Sequence, residues 1–390
     1  MQRVQPSFKY KLSMNRAHNC KSYKGCGGCQ LTNLSYEEQL SFKMKKVISE
    51  VGRFCHVDEI IPAENNRRYR NKLHAVFTEA KNGNAVCGLW QSSSGTVKVT
   101  EDCVIENKKA LEVVKFIRTR LRACKITVFS PEKRRGLLRH IEIRTSSKGD
   151  MGVLFVLSRD NFEKLMPLAK EICEKYSSVK SVAASVNSTE IPVFCDSEYE
   201  VILGVNGIYD TLCGIKFFVS PTAFFQINHD MTEKLYKTAI ECAALTEADE
   251  VLDAYCGIGT IGLIAAKKCK KVTGVEINPS SVNDALRNAL ENGIENYEVI
   301  RTDCTEFMEK TDRDFSAVLC DPPRAGLSKR FTAALTRLAP ERIVYISCNP
   351  ETLSRDLAVL CKSYRAEKII PFDMFPHTRH CECVAVLRRK

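Results

Sequence analysis

The spacing of apolar residues changes character twice along this chain. Over residues 34–52, LSYEEQLSFKMKKVISEVG, they recur at helical spacing and stop at Gly52, which predicts a single helix. From Tyr69 to Ser220 the apolar runs are short and often β-branched, at 73–77, 96–100, 125–129, 137–144 and 152–157. Gly, Asn and Ser separate them, as in an antiparallel sheet, with one helical interruption over 160–178. Beyond about residue 230, compact apolar runs alternate with amphipathic stretches. Strands are predicted at 250–254, 271–277, 297–301, 315–320, 342–346 and 383–387, and helices at 259–268, 279–292, 328–339 and 351–363. Pro279 at a helix start and Gly293 just past its end fix one of these helices. The alternation predicts an α/β fold with a doubly wound, mostly parallel sheet. Three segments follow: an N-terminal segment 1–60, a β-rich central region 61–225 and an α/β domain 226–390.

Composition narrows the class of protein. The chain has 390 residues, 44% hydrophobic and 27% charged, as expected of a globular protein with two or three domains. No stretch approaches the ~20 consecutive apolar residues of a membrane span. The basic N-terminus has no apolar core behind it, so it does not read as a secretory signal. A cytoplasmic location follows as the expectation, and an odd count of 19 cysteines agrees with a reducing compartment. Nothing in the sequence calls for a protein partner, so a monomer is expected.

Charge is unevenly distributed. The net charge is +11, yet residues 1–75 carry 14 Lys/Arg against 6 Asp/Glu and residues 108–148 carry 13 against 3. The remainder is therefore net acidic. Two basic blocks in one half point to a polyanion, and nucleic acid is the expected partner. Arg67-Arg68-Tyr69-Arg70-Asn71-Lys72 and Lys133-Arg134-Arg135 are the densest runs.

The α/β half carries acids at successive strand ends. Asp253-Ala-Tyr255-Cys-Gly257-Ile-Gly259-Thr260-Ile-Gly262 follows its first strand, where glycines permit a tight turn and close approach to a ligand. Glu276 ends the second strand, where an acid can accept hydrogen bonds from a ribose diol. Asp303 closes the third, within reach of an adenine amine, and Asp321-Pro322-Pro323-Arg324 closes the fourth. The last two features favour S-adenosylmethionine over a dinucleotide. The fifth strand ends in Tyr345-Ile-Ser-Cys348-Asn-Pro350, a polar setting ill suited to a core cysteine. In open α/β sheets, ligands bind outside the carboxyl ends of the strands. A thiolate there suits pyrimidine chemistry. Carbon 5 of uracil or cytosine is too electron-poor to attack a methyl donor until a nucleophile adds at carbon 6, and a base must later remove the carbon 5 proton. Cys348 supplies the nucleophile, and Glu382, in Phe372-Asp-Met-Phe-Pro-His-Thr-Arg-His-Cys-Glu382, supplies the base.

At the other end, Cys20-x5-Cys26-Gly-Gly-Cys29 is compact, and Cys103 in Glu101-Asp102-Cys103 provides a fourth thiol. Four thiolates suit zinc or an iron–sulfur cluster, and spacing does not choose between them. The site would staple residues 20–29 to the β region. Cys55, Cys87, Cys124, Cys195, Cys213, Cys242, Cys269 and Cys361 stand apart and read as core.

Asp321-Pro-Pro-Arg-x-Gly326, Tyr345-x-Ser-Cys-Asn-Pro-x-Thr352 and Asp373-x-Phe-Pro-His-Thr-x-His-x-Glu382 resemble, in order, the signatures of the S-adenosylmethionine-dependent RNA uracil-5 methyltransferases. Phe224-Phe-Gln226-Ile-Asn228 resembles the same family's segment at the start of its catalytic domain. The resemblance runs from about Cys20 to the end. It implies a Rossmann-like class I methyltransferase domain at the C-terminus and an α+β N-terminal and central region holding a cluster. It implies Cys348 as nucleophile and Glu382 as base, with Gln226, Tyr255, Thr260, Glu276, Asp303 and Asp321 lining the cofactor and base pocket. Tyr255 stands where many members have Phe, Thr260 where many have Asn, and Cys381 where a larger apolar residue is usual. Cys20, Cys26, Cys29 and Cys103 resemble the family's 4Fe–4S site, which places iron ahead of zinc. The small β-barrel that precedes the cluster in many relatives has no counterpart in the 19 residues before Cys20. RNA binding is therefore expected from the cluster region and from the basic runs 67–72 and 133–135. The implied reaction is formation of 5-methyluridine in 23S rRNA, with the tRNA T-loop as the alternative target. Adenine amino methylation fits less well, because Arg324 stands where an aromatic would stack on the base. A cluster-bearing RNA-binding protein with an inactive catalytic domain is the non-enzymatic alternative, and the presence of both Cys348 and Glu382 speaks against it.

Overall fold

A computed structural model describes residues 20, 22–80, 82–91, 94–100, 102–189 and 198–390. The basic terminus 1–19, Glu101 and Cys195 lie outside the described residues. The N-terminal part contains α1 (Tyr23–Cys26) and α2 (Tyr36–Val51). In α2, Ser35 and Glu38 form a reciprocal capping box, and Leu40, Met44, Val47 and Val51 make one buried stripe.

The central region comprises β1 (Lys72–Glu79), β2 (Ala85–Gln91), β3 (Thr96–Val99), α3 (Lys108–Arg120), β4 (Leu138–Thr145), β5 (Met151–Leu157), α4 (Met166–Lys175), β6 (Val179–Val186) and β7 (Glu200–Gly204). Its sheet has the order β3-β2-β1-β4-β5-β6-β7. The expected antiparallel pairing holds except at β5–β6, which run parallel because α4 lies between them and carries the chain back across the sheet. Two expectations need correction here. Residues 108–120 form a helix, capped by Asn107 and buried through Val113, Val114 and Ile117. Residues 125–129 form no strand and contribute one isolated bridge, Val128 to Leu138.

The C-terminal part begins with the hairpin β8 (Ile208–Leu212) and β9 (Ile215–Val219). It continues through α5 (His229–Ala243), β10 (Glu250–Ala254), α6 (Thr260–Ala266), β11 (Lys271–Glu276), α7 (Pro279–Glu291), β12 (Tyr297–Arg301), α8 (Cys304–Lys310) and β13 (Ala317–Cys320). It ends with α9 (Lys329–Leu338), β14 (Arg342–Ser347), α10 (Pro350–Leu360), β15 (Tyr364–Phe372) and β16 (Glu382–Arg389). The sheet order is β12-β11-β10-β13-β14-β16-β15, parallel from β12 to β14, with β16 antiparallel to both neighbours. β15 is absent from the sequence reading. Its first half alternates Arg365 and Glu367 with Tyr364 and Ala366 at a sheet edge, where charged side chains are favoured.

Packing cuts across the boundaries expected at residues 60/61 and 225/226. The α2 stripe joins one face of the C-terminal sheet, with Leu353 and Leu357 of α10 and Tyr345 and Ala385 from the strands. The β8–β9 hairpin, through Leu212, Phe217 and Val219, joins the other face with α5 and α6. The central sheet keeps its own core against α3 and α4. Among the described residues, no helix is long and apolar enough to cross a membrane.

Candidate active site

The carboxyl ends of β10, β11, β13 and β14 lie at one edge of the C-terminal sheet, and β16 starts there. The antiparallel register of β14 with β16 pairs Ser347 with Cys383, so its continuation sets Cys348 beside Glu382. Asn349 caps α10 through Glu351 N–H at 3.1 Å, and Pro350 occupies the first helical turn, so the chain must turn at Cys348. The thiol is half-buried. Burial first, then the carboxyls of Glu382 and Asp321, push it up to about 11, while the Arg324 guanidinium, which reaches the sulfur, draws it down.

Glu382 is buried, and its Oε2 has no hydrogen-bond partner among the described residues. Burial, and next the neighbouring Asp321, hold its carboxyl well above the usual range, with Arg324 opposing. Asp321 leaves the tip of β13. Burial raises it to about 7, and the Gln226 amide, donating from Nε2 at 3.3 Å, works against that rise. The site thus gathers a thiol and two carboxyls, all favoured in their protonated forms, around one exposed arginine. Arg324 Nη2 also lies 3.3 Å from His380 Nε2, and His380 is pushed down to about 4 by burial and then by Arg324 and Arg379. Its cationic role here was not legible in the sequence, where only adjacency to the Asp-Pro-Pro run marked it.

The other predicted residues fall into two sets. Thr260 opens α6 and its Oγ1 lies 3.4 Å from Tyr236 OH, which in turn meets the Gln226 side chain, so Thr260, Tyr236, Gln226 and Asp321 form one polar chain. Glu276 accepts Gly257 N–H at 3.1 Å and Asn278 N–H at 2.8 Å, which fixes its carboxylate at the tip of β11. Asp303 caps α8, accepting Glu306 N–H at 3.0 Å. Tyr255 adopts φ 63°, a left-handed conformation costly for a residue with a side chain, and its ring tilts against Phe331 at 5.5 Å. Asp253 turns away from the crevice. It accepts Gly262 N–H at 3.0 Å, and a Cβ on Gly262 would lie 2.4 Å from its Oδ2, so this acid locks the loop onto α6. Nothing lies within 4 Å of a Cβ built at Gly257, whose loop borders open space between Glu276 and the Asp321 chain. Open backbone beside fixed acids suits a ribose and a cationic amino-acid end, which is the donor set S-adenosylmethionine requires.

The segment before Glu382 is tied to α2. Lys43 and Asp373, both fully buried, form an ion pair, Lys43 Nζ donates to Phe375 O at 2.9 Å, and Tyr36 OH donates to Asp373 Oδ2 at 2.8 Å. Neither the lysine nor its partner was a candidate on sequence grounds, because a Lys on an amphipathic helix reads as solvated.

Cys20, Cys26, Cys29 and Cys103 converge. Residues 68–70 pair with 104–107, and the Cys103 thiol lies near enough to Cys29 to feel its charge. Cys29 is pushed up to about 12 by burial and then by Cys26 and Cys20. Cys103 rises to about 12 by burial and then Glu106, and its sulfur accepts N–H groups of Ile105 and Glu106. Gathered thiols with backbone N–H groups aimed at sulfur form a donor set fit for a metal held by thiolates. The loop also touches the segment before Glu382: Leu31 N–H donates to His377 O at 2.9 Å, and Arg379 N–H to Gln30 Oε1 at 3.4 Å. Of the cysteines read as core, Cys87 and Cys269 are buried, while Cys55, Cys124, Cys213, Cys242 and Cys361 are half-buried.

The basic runs differ in what they offer. Tyr69 is largely buried, and its OH donates to Pro376 O at 3.0 Å. Arg68 is paired with Asp102 at 2.8 Å, and Arg67 is exposed. Lys133, Arg134 and Arg135 are exposed, and Lys133 and Arg135 join Arg118, Arg122 and Lys125 around a cleft of about 1220 Å³.

Residues 212–390 match the family described as tRNA (Uracil-5-)-methyltransferase. An uncharacterised RNA methyltransferase of Oceanobacillus iheyensis is 37% identical over 376 residues, covering 94% of this chain and 82% of that one. One from Staphylococcus aureus is 35% identical over 388 residues, covering 97% and 86%. Among solved structures, the Pyrococcus abyssi tRNA (uracil-54, C5)-methyltransferase in complex with S-adenosyl-L-homocysteine superposes with a TM-score of 0.78 at 30% identity, covering 93% of this chain and 84% of that one. The strand-tip acids, the Cys348–Glu382 pair and these matches agree: the chain belongs to the S-adenosylmethionine-dependent RNA uracil-5 methyltransferases.

Proposed function

We propose that this enzyme methylates carbon 5 of a uridine in 23S rRNA, with Cys348 as nucleophile and Glu382 as the base that removes the carbon 5 proton. The observation that carries the mechanism is the β14–β16 register, which sets the thiol beside a buried, unpartnered carboxyl. Cys348 enters as a thiol and passes its proton to the Asp321 carboxylate while Glu382 stays ionised, and Arg324 holds the resulting thiolate. The sulfur bonds to carbon 6 of the uracil, and the ring's π electrons move to carbon 5. S-adenosylmethionine, held by Gln226, Tyr255, Thr260, Glu276, Asp303 and Asp321, supplies an electrophilic methyl group when bound. Glu382, ionised for this step, then takes the proton from carbon 5; the double bond re-forms and the carbon–sulfur bond breaks, returning the thiolate. Solvent exclusion around Glu382 keeps its carboxyl basic enough for this transfer. The target base must leave its stack to reach Cys348, and the Arg118–Arg135 cleft is the surface proposed to hold the surrounding RNA.

The four thiols would hold a 4Fe–4S cluster that staples the Cys20–Cys29 loop to both the central sheet and the His377–Arg379 segment. The resemblance of this cysteine pattern to the family's 4Fe–4S site is what places iron ahead of zinc. An absorbance spectrum of protein purified without oxygen tests it: a missing broad iron–sulfur band together with stoichiometric zinc overturns the choice.

The cluster pattern carries the ribosomal reading; the Pyrococcus abyssi match favours a tRNA T-loop instead. Incubation with 23S rRNA or tRNA transcripts containing 5-fluorouridine, which cannot lose fluorine as a proton, would trap the covalent adduct and reveal its position. Adduct on tRNA alone overturns the ribosomal target. Adduct that persists in Cys348→Ala overturns the mechanism.

A further inference from the structure

One face of the β1–β4 pair carries three metal-ligating side chains that methyl transfer does not use. The register places His74 opposite Glu142, and His140 lies two residues from Glu142 on the same strand, so all three project from one face. The other face, with Leu73, Ala75, Ile141 and Ile143, belongs to the core under α3. Ligand atoms of His74, His140 and Glu142 all lie within 4.8 Å of one another. The two imidazoles meet edge-on with centroids 4.4 Å apart, and His140 is fully buried. His74 Nε2 is buried with no hydrogen-bond partner. Such an orphan nitrogen costs ~1–3 kcal/mol, and buried polar groups left this way point to an ion or water in the site.

We propose that His74, His140 and Glu142 bind a divalent cation of the zinc class, separate from the four-cysteine site. Two imidazoles and one carboxylate suit zinc rather than calcium or magnesium, and three protein ligands leave a fourth position for water. Lys72, 2.6 Å from Glu142 Oε2, already supplies the outer partner that orients a ligating carboxylate. The cation would clamp β1 to β4 directly beyond Asn71, whose Nδ2 donates to Gln226 O at 2.9 Å. Its role is therefore to stiffen the strand pair against which the Gln226 segment is held.

The test is anaerobic titration of the full-length protein with Co²⁺. One equivalent should give weak visible bands without thiolate charge transfer in the near ultraviolet. That signal should persist in Cys26→Ser, vanish in His74→Ala and require about 10–100-fold more metal in Lys72→Met. X-ray absorption of zinc-loaded wild-type protein, independent of how any variant folds, should show imidazole scattering around a nitrogen and oxygen shell. Uptake indifferent to His74→Ala, a sulfur-only zinc shell, or no uptake beyond the cysteine site would overturn the proposal.

Discussion

Replacing Glu382 with glutamine keeps the shape of the side chain and removes the proposed base. General-base catalysis contributes about 10²–10⁴-fold, so turnover should fall by that factor, or ~3–5 kcal/mol of barrier. The earlier steps do not need the base. The variant should therefore accumulate RNA linked to Cys348 and already methylated, visible as a shifted band carrying label from methyl-labelled S-adenosylmethionine. Stability should move the opposite way. Burial, then Asp321, raises the Glu382 carboxyl, and Asp321 itself stands at about 7. A carboxyl raised in the folded state contributes stability that is complete below the unfolded value near 4 and is lost as pH rises through the folded value. For Asp321 the loss between about pH 4 and 7 is at most three units, or ~4 kcal/mol. Glutamine removes one of the two repelling carboxyls, so the variant's denaturant midpoint should fall less between pH 5 and 8 and exceed that of the wild type at pH 8. Turnover within tenfold of wild type with no trapped adduct would refute the role given to Glu382. A steeper pH loss in the variant would refute the electrostatics.

Arg324→Met removes the cation facing Cys348, whose thiol already stands at about 11; alkylation by iodoacetamide should shift to still higher pH, and an unchanged profile would deny the contact. Gly262→Ala drives a methyl group into Asp253 and the Tyr297 ring, so chemical denaturation should register a loss of about 1–3 kcal/mol and calorimetry weakened S-adenosylmethionine binding. Lys43→Met leaves Asp373 buried without its ion pair and should cost about 3–5 kcal/mol, a loss that Lys43→Met combined with Asp373→Leu should largely reverse. Cys29→Ser should abolish broad iron–sulfur absorbance and raise hydrogen exchange across 373–382, because Gln30 and Leu31 hold that segment; faster exchange confined to 20–35 would sever the two.

The sequence was most legible where one local rule decides the outcome. Strands β10, β11, β13 and β14 are short runs buried on both faces and bounded by helices, so their periodicity and length leave little choice, and the acids at their tips follow from position alone. Cys348 and Glu382 were legible through chemistry, since a thiol and a base are required together. Legibility failed where distant parts of the chain decide. Helix α3 carries its apolar stripe, Leu111, Val114 and Ile117, inside a run dense in Lys and Arg, so charge dominates its sequence pattern. Tyr69 sits among arginines in a basic run, and only Pro376, far along the chain, shows where its hydroxyl goes. Lys43 and Asp373 are ordinary surface residues by composition and become a buried pair only when α2 lies on the C-terminal sheet.

That same α2 contact sets an order on synthesis. The helix leaves the ribosome early, yet Asp373 is 330 residues downstream, and the stripe Leu40, Met44, Val47 and Val51 has no cover until α10 and β14 exist. For most of translation the nascent chain carries an exposed apolar helix, a surface that invites chaperone capture or aggregation. Cover for α2 and the proposed base Glu382 therefore reach the fold together, on the segment from α10 through β16.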